Sequence, residues 1–592
     1  MTWTIITDPL NSLPLSALLA ALPIFYLFWA LAVKRMKGHW AAISAVGFAL
    51  AIAIAGYGMP AKYALLATFD GMLFGLWPVA WIVLTAVFIY NLSVRTGQFE
   101  IIKNSLASIS DDRRMQALLI AFSFGAFLEG AAGFGTPVAI TAAMLAGLGF
   151  VPLYAAGVCL LANTAPVAFG AIGIPIIVAG QVSGVDTMAI SKMVGRTLPF
   201  LSVLIPLYLV IVISGWKKGF EVWPAALVCG GSFAITQFLT SNYLGPMLPD
   251  ILASIVSITC TVFFLRIWHP KQSWRFEHEP ASVGREKLLY SGGQVFRAWA
   301  PFLLLSIFVA AWGIKSVKEF LDHYTLFKLA IPGLHNMIVR DGKPMPAIYI
   351  FNLMSAAGTA ILLAGIFSIP VMGASLQTAA QVAASTVKTL RWAVVTISTV
   401  LGFAYIWNFS GMAISLSLAF AATGKLFPFF AAFLGWLGVF MTGSDTSTNA
   451  LFGKLQAVTA AKIGVDPVVT VAANTAGGVC GKMISPQSIA VATASTNLIG
   501  REGDIFRFTL KHSLILTTII AVMAYMQAYV FKWIIPVYST ATAAAGNAAA
   551  AAQPDLSIGG TYLAVALVIV LAITFLARAV GRGEETATAP TH

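Results

Sequence analysis

The sequence predicts an all-α, polytopic transmembrane protein built as two inverted repeats with broken helices or re-entrant hairpins. Three observations predict it: a shortage of charge, a series of charge-free runs of bilayer length, and a motif whose copies, at Asn163 and Asn474, stand 311 positions apart. Of the 592 residues, 59% are hydrophobic and only 10% are charged. A water-facing surface needs about 25% charged residues, so most of this chain cannot face water. Disorder, a coiled coil and an ordinary soluble enzyme are excluded on that ground. The formal net charge is +13. No basic patch is interleaved with a folded polar surface, so the excess reads as basic residues gathered in cytoplasmic loops. Nucleic acid is not an expected partner; the lipid bilayer is.

About 20 apolar residues suffice to cross a bilayer. Clear runs are 13–33, 41–59, 71–94, 197–216, 222–249, 298–314, 392–424, 513–531 and 556–577. The first is long, lacks a basic segment ahead of it and is followed by Lys34, Arg35 and Lys37, so it does not read as a cleavable signal peptide. The run 130–185 has no charge and is too long for one helix. It is interrupted by Gly133, Gly135, Pro137, Pro152, Pro166, Gly170, Gly173 and Pro175. The region 426–500 behaves similarly but carries Asp445, Lys454, Lys462, Asp466 and Lys482. Together the core is expected to cross an even number of times, about 12 at this length per span, before one further helix.

Basic residues orient the chain. Lys34, Arg35 and Lys37 place the N-terminus outside. Arg95, Lys103, Arg113 and Arg114 mark an inner end, as do Arg501, Arg507 and Lys511; Arg578 and Arg582 put the C-terminus inside. The resulting organisation is a first transmembrane half at 1–268 (core repeat about 115–185) and a cytoplasmic loop at 269–297. A second half follows at 298–536 (core repeat about 426–500), then an Ala-rich extracytoplasmic loop at 537–555, a further helix at 556–577 and a cytoplasmic tail at 578–592.

The repeat rests on Asn163-Thr164-Ala165 and Asn474-Thr475-Ala476; at the same spacing Gly170 matches Gly481 and Pro175 matches Pro486. Duplicated halves with opposite topology and a site at their interface are a common plan among secondary transporters. Ionisable residues at membrane depth cost several kcal/mol and so mark function by default. Three stand out: Glu129, Asp445 and Lys482. Each either takes part in transport or forms a salt bridge holding the halves together. Asp70, Glu221 and Asp250 border apolar runs and read as interfacial. The segment Gly130-Ala131-Ala132-Gly133-Phe134-Gly135-Thr136-Pro137 cannot be one continuous helix. Irregular backbone at that depth survives only inside protein or along a watery cavity, and a broken helix offers free N–H groups and a positive dipole end to an anion. Asn163-Thr164-Ala165-Pro166 and Asn474-Thr475-Ala476-Gly477-Gly478 read as further breaks. Gly481-Lys482 is not a phosphate loop, because Met483 follows it. The cysteines (Cys159, Cys229, Cys260, Cys480) form no CxxC pair and the seven histidines no HExxH pair. No metal, cofactor or enzymatic constellation is predicted. The chain reads as an ion-coupled helical transporter.

Four segments resemble the hallmarks of the bacterial L-lactate permease family: FSFGAFLEGAAGFGTPVAIT at 122–141, NTAPVAFGAIGIP at 163–175, FLGWLGVFMTGSDTSTNALF at 433–452 and GKMISPQSIA at 481–490. The similarity runs from the N-terminus to about Pro536. Beyond that point this chain adds the Ala-rich loop and the last apolar run, and it has Thr136 where relatives often have Ala. The resemblance implies a bacterial inner-membrane symporter of a proton with a small 2-hydroxy monocarboxylate: L-lactate, D-lactate or glycolate. The residues suit such an anion. Asn163, Thr164, Asn474 and Thr475, with Gly170 and Lys482, are candidates to hold the carboxylate. Ser444, Thr446, Ser447 and Gln487 are candidates to orient the hydroxyl. Glu129 and Asp445 are candidates for proton coupling, since burial favours the neutral form of a carboxyl group. Gly130, Gly133, Gly135, Pro137, Pro166, Pro175 and Pro486 are expected to shape the broken helices. A sodium-coupled carboxylate symporter of similar architecture is the alternative, because Asn, Ser, Thr and free carbonyls also suit a sodium ion.

Overall fold

Inside a bilayer a backbone satisfies its own hydrogen bonds only as a helix or a closed barrel, and the apolar runs of this chain are helical. The computed structural model describes residues 2–34, 36–133, 135–276, 290–340, 342–498, 501–538 and 556–587. Of the expected loops and tail, residues 277–289, 539–555 and 588–592 therefore lie outside the described residues, and so does the side chain of Thr136. Among the described residues ten helices are long and apolar enough to cross a membrane, or eleven if the bent pair Pro152–Ala162 and Val167–Ser183 counts as one span. This is fewer than the expected 12 and one. The repeat cores are built partly of short helices, such as Thr136–Gly147 and Pro486–Ser495, that do not reach across on their own. The run 392–424 is also two elements: the long helix Leu376–Phe409 stops at left-handed Gly411, and Met412–Ala421 follows it.

The element order repeats at the spacing of the Asn-Thr motif. In the first half a helix ending at Ala131 precedes Thr136–Gly147, Pro152–Ala162 and Gly170–Ser183. In the second half Phe427–Thr442 precedes Asp445–Lys462, Pro467–Lys482 and Pro486–Ser495. The expected break at Asn474–Gly478 is absent: Pro467–Lys482 is one continuous helix through both residues. Its glycines serve close packing instead. A Cβ on Gly477 would collide with the carbonyl of Ala432, one on Gly481 with that of Trp436, and one on facing Gly435 with that of Asn474. Small residues spaced by four on a helix face let two backbones approach in this way.

Among the described residues, five short strands lie outside the helical plan. Leu326–Ala330 pairs antiparallel with Ile348–Asn352, and Trp3–Thr4 pairs in parallel with Ile338–Arg340. At two to five residues they are too short to show period-two alternation in sequence. The second pairing has a topological consequence: the N-terminal strand shares one side of the membrane with Ile338–Arg340 and with Lys343–Pro344, which pairs with it. In a background whose four native cysteines are replaced by serine, Thr4→Cys and Lys343→Cys should therefore both react with a membrane-impermeant maleimide from the same side of sealed vesicles. Labelling from opposite sides contradicts the pairing.

Candidate functional site

The site begins with a helix that winds in two ways. Arg113–Gln116 and Gly125–Ala131 are α-helical, and Ala117–Phe124 between them is π-wound. Glu129 stands sixteen residues from Arg113, about 24 Å along the axis at 1.5 Å per residue. It is therefore far from the basic end and inside protein: only 3% of its side chain is exposed. The helix stops two residues later, and left-handed Gly133 (φ 59) and Gly135 (φ 84) turn the chain into Thr136–Gly147, with Pro137 in its first turn.

Glu129 meets both repeats. Its Oε1 lies 2.6 Å from Nζ of Lys482, the last residue of Pro467–Lys482, and its Oε2 accepts a hydrogen bond of 3.1 Å from Nδ2 of Asn163. Gly170 makes room for this arrangement, because a Cβ there would sit 2.6 Å from Oε1. Pro166 precedes a single 3-10 turn, Val167–Phe169, and after Gly170 the chain takes left-handed φ at Ala171 (45°), Ile172 (60°) and Gly173 (71°) before Pro175 resumes helix. For Ala and Ile that conformation costs about 1–2 kcal/mol per residue, and such strain tends to persist where function over-determines it. The strained turn packs on the first break, since a Cβ on Gly133 would lie 3.0 Å from that of Ala171.

The second repeat uses the same motif differently. Asn474 donates to Oδ1 of Asn449 at 2.9 Å, Thr475 donates to the same oxygen at 2.9 Å, and Gln456 donates to Oδ1 of Asn474 at 3.1 Å. Both motif residues, expected to hold a substrate carboxylate, thus take part in an internal hydrogen-bond network. In the first repeat, by contrast, buried Asn163 Oδ1 and Thr164 Oγ1 have no hydrogen-bond partner among the described residues. Asp445 extends the network: its Oδ2 accepts from Asn449 at 3.4 Å, while its Oδ1 has no partner there and lies over Gly478. Asn449 also donates to the carbonyl of Pro175, tying this network to the first repeat. Ser444 caps the Asp445 helix by accepting from the amide of Ser447. Ser444, Thr446 and Ser447 are half-buried and Gln487 is exposed, with its side chain over Gly443, where the chain is left-handed. Pro486 opens the helix beside it. Lys482 and Glu129 both act electrostatically on Asp445, so these groups form one neighbourhood.

Sequence reasoning missed one member. Asp250 is 1% exposed and Asp70 is 5% exposed, so both are buried in protein, whereas half of the Glu221 side chain is exposed. Asp250 lies in the first turn of Pro249–Ile267, packed on the residue after Glu129: a Cβ on Gly130 would stand 2.8 Å from that of Asp250. A position beside Pro249 at the edge of an apolar run gave no sign of this, because the burial comes from a helix 120 positions earlier in the chain.

The sequence was also compared with those of known proteins. Residues 16–531 match the family model described as L-lactate permease. The L-lactate permease of Bacillus subtilis (strain 168) is 52% identical over 563 residues, covering 90% of this chain and 100% of that one. The glycolate permease GlcA of Escherichia coli (strain K12) is 52% identical over 553 residues, covering 90% and 99%. The L-lactate permease of Salmonella typhimurium (strain LT2) is 50% identical over 543 residues, covering 89% and 98%. The family match stops before the helix Leu556–Ala587.

The energetics of the pair give a test that needs no transport assay. With side chains 3% and 12% exposed, Glu129 and Lys482 have each given up most of their hydration. Removing one partner strands the other, at about 3–5 kcal/mol, whereas replacing both with apolar or neutral groups of similar size is often close to neutral. Glu129→Gln and Lys482→Met should each lower the Tm of the purified protein, and the double variant should recover most of the loss. Additive losses in the double variant contradict the pair.

Proposed function

This chain belongs to the L-lactate permease family, and on that premise we propose that it takes up L-lactate, D-lactate and glycolate by proton symport across the bacterial inner membrane. The relatives named for lactate and for glycolate are about equally similar to it. Those acids share a carboxylate and a 2-hydroxyl and differ by one methyl group, which a pocket discriminates by only about 1–3 kcal/mol. The single observation that carries the coupling argument is the contact of 2.6 Å between Glu129 and Lys482.

A substrate carboxylate seeks the ammonium of Lys482, which Glu129 already holds. The two anions compete. When lactate takes Lys482, Glu129 loses its counter-ion in a dry site, where an unpaired charge is expensive, and a proton neutralises it. One negative charge and one proton enter together, and the charge of the site stays constant. When the proton leaves on the inner side, Glu129 pairs with Lys482 again and displaces the substrate. Asn163 Oδ1 and Thr164 Oγ1, buried and otherwise unpartnered, accept and orient the 2-hydroxyl. Ser444, Thr446, Ser447 and Gln487 line the approach, and Asp445 is a second acid able to hold the proton. The N-terminus lies outside and the C-terminus inside. The pairing of Trp3–Thr4 with Ile338–Arg340 supports this orientation, since Gly292–Gly313 leads outward from the basic segment 271–297 toward those strands.

Purified protein in liposomes tests the reading. An inward proton gradient without sodium should drive accumulation of labelled L-lactate; dependence on a sodium gradient would replace the proton with sodium. Lys482→Ala should raise the apparent KM about tenfold or more, because a lost charge-assisted contact costs about 1.5–3 kcal/mol. Glu129→Gln mimics the protonated form but cannot release a proton. It should lose accumulation while keeping lactate–lactate exchange, and full accumulation in this variant contradicts the assignment.

A further inference from the structure

Symport through Glu129 requires a route for the proton, and both Glu129 carboxylate oxygens are engaged, one by Lys482 and one by Asn163. We infer that Asp250 is the relay that delivers the coupled proton to Glu129 and takes it back, an inference that rests on the proton-symport reading above.

The first support is what Asp250 does not do. Asp112, Asp186 and Asp466 each begin a helix, and each accepts a hydrogen bond from a backbone amide of the first turn, that of Arg114, Ala189 and Val468 respectively. Asp250 also lies in the first turn of its helix, yet neither of its carboxyl oxygens has a partner among the described residues, although the residue is 1% exposed. A buried carboxyl group without donors is not a cap and not a structural tie.

The second support is position. The Asp250 helix rests on the backbone of the Glu129 helix. A Cβ on Gly130 would stand 2.8 Å from Asp250 Cβ and 3.1 Å from the amide nitrogen of Ile251, so only a glycine after Glu129 permits the contact. Glu129 and Lys482 are the charged groups that act on Asp250 electrostatically. The helix Trp223–Tyr243, also packed on it, carries no Asp, Glu, His, Lys or Arg, and the one such residue of Gly292–Gly313, Arg297, is spent on the carbonyl of Val371. Three acids, Glu129, Asp250 and Asp445, therefore share one ammonium, and that ammonium balances one carboxylate. While Glu129 is paired, Asp250 holds the proton.

The step balances without any electron change. As the substrate carboxylate takes Lys482, the O–H bond of Asp250 breaks and an O–H bond forms on Glu129. Asp250 then regains a proton from hydronium on the outer side, leaving water, so one proton is taken up per anion. Release runs in reverse.

The test compares two activities of one liposome preparation: net uptake driven by a proton gradient, and lactate–lactate exchange, in which no net proton moves. Removing a proton-transfer group typically costs about 100-fold or more. Asp250→Asn should therefore reduce net uptake by about that factor relative to exchange. Asp250→Glu, which keeps the acid, should restore net uptake but move the pH at which it is half-maximal, a shift that a packing role does not produce. If net uptake and exchange fall together in Asp250→Asn, or if neither falls, the relay is overturned. The same holds if Asp250→Glu leaves the pH profile in place, which decides the matter even where the asparagine variant does not fold. Failure of the wild-type protein to accumulate lactate on a proton gradient is a separate result, which overturns the symport reading itself.

Discussion

The 2.6 Å contact between Glu129 and Lys482 joins one repeat to the other across 353 positions of chain, and the rest of the site is arranged to permit it. Two opposite charges are withdrawn from water, which is tolerable only when they find each other and further hydrogen bonds complete the geometry. Asn163 supplies such a bond, the missing side chain of Gly170 supplies the space, and the strained turn at Ala171–Gly173 holds Gly170 against Glu129. Any anion that claims Lys482 must settle with Glu129. In the symport proposed above, that constraint links the binding of a carboxylate to the movement of a proton.

The two repeats share an element order but no longer a task. Asn163-Thr164 keeps unpartnered oxygens beside the ion pair, whereas Asn474-Thr475 is locked to Asn449 and Gln456. The acids have diverged as well. Glu129 precedes its break, while Asp445 follows the turn at Gly443 and begins the next helix. The proposed site is therefore one-sided, with the second Asn-Thr segment contributing chiefly Lys482.

Much of this was legible in the sequence. Charge-free runs gave the helices, the glycines at 133 and 135 gave the first break, and Glu129, Asp445 and Lys482 were conspicuous because charge inside an apolar run is costly. What escaped has physical reasons. A glycine that turns a chain and a glycine that lets two helices touch both require a missing side chain, so Gly477 read as a break when it is a contact with Ala432. Asp250 read as interfacial because local sequence shows only the end of an apolar run; its burial is a product of packing on Gly130. The choice between salt bridge and proton carrier for Glu129 stayed open at that level, because the partner, Lys482, is remote in the chain. The strands that pair Trp3–Thr4 with Ile338–Arg340 are too brief to leave a periodic trace.

The most direct test watches the carboxyl group itself. Infrared difference spectra of the purified protein, recorded with and without isotope-labelled L-lactate, report whether binding converts a carboxylate into a carboxylic acid. The account predicts that lactate generates a carboxylic acid carbonyl band and removes a carboxylate band, and that both changes vanish in Glu129→Gln. Lactate binding with no new acid band, or with a band that persists in the glutamine variant, would contradict the claim that substrate and Glu129 exchange places on Lys482.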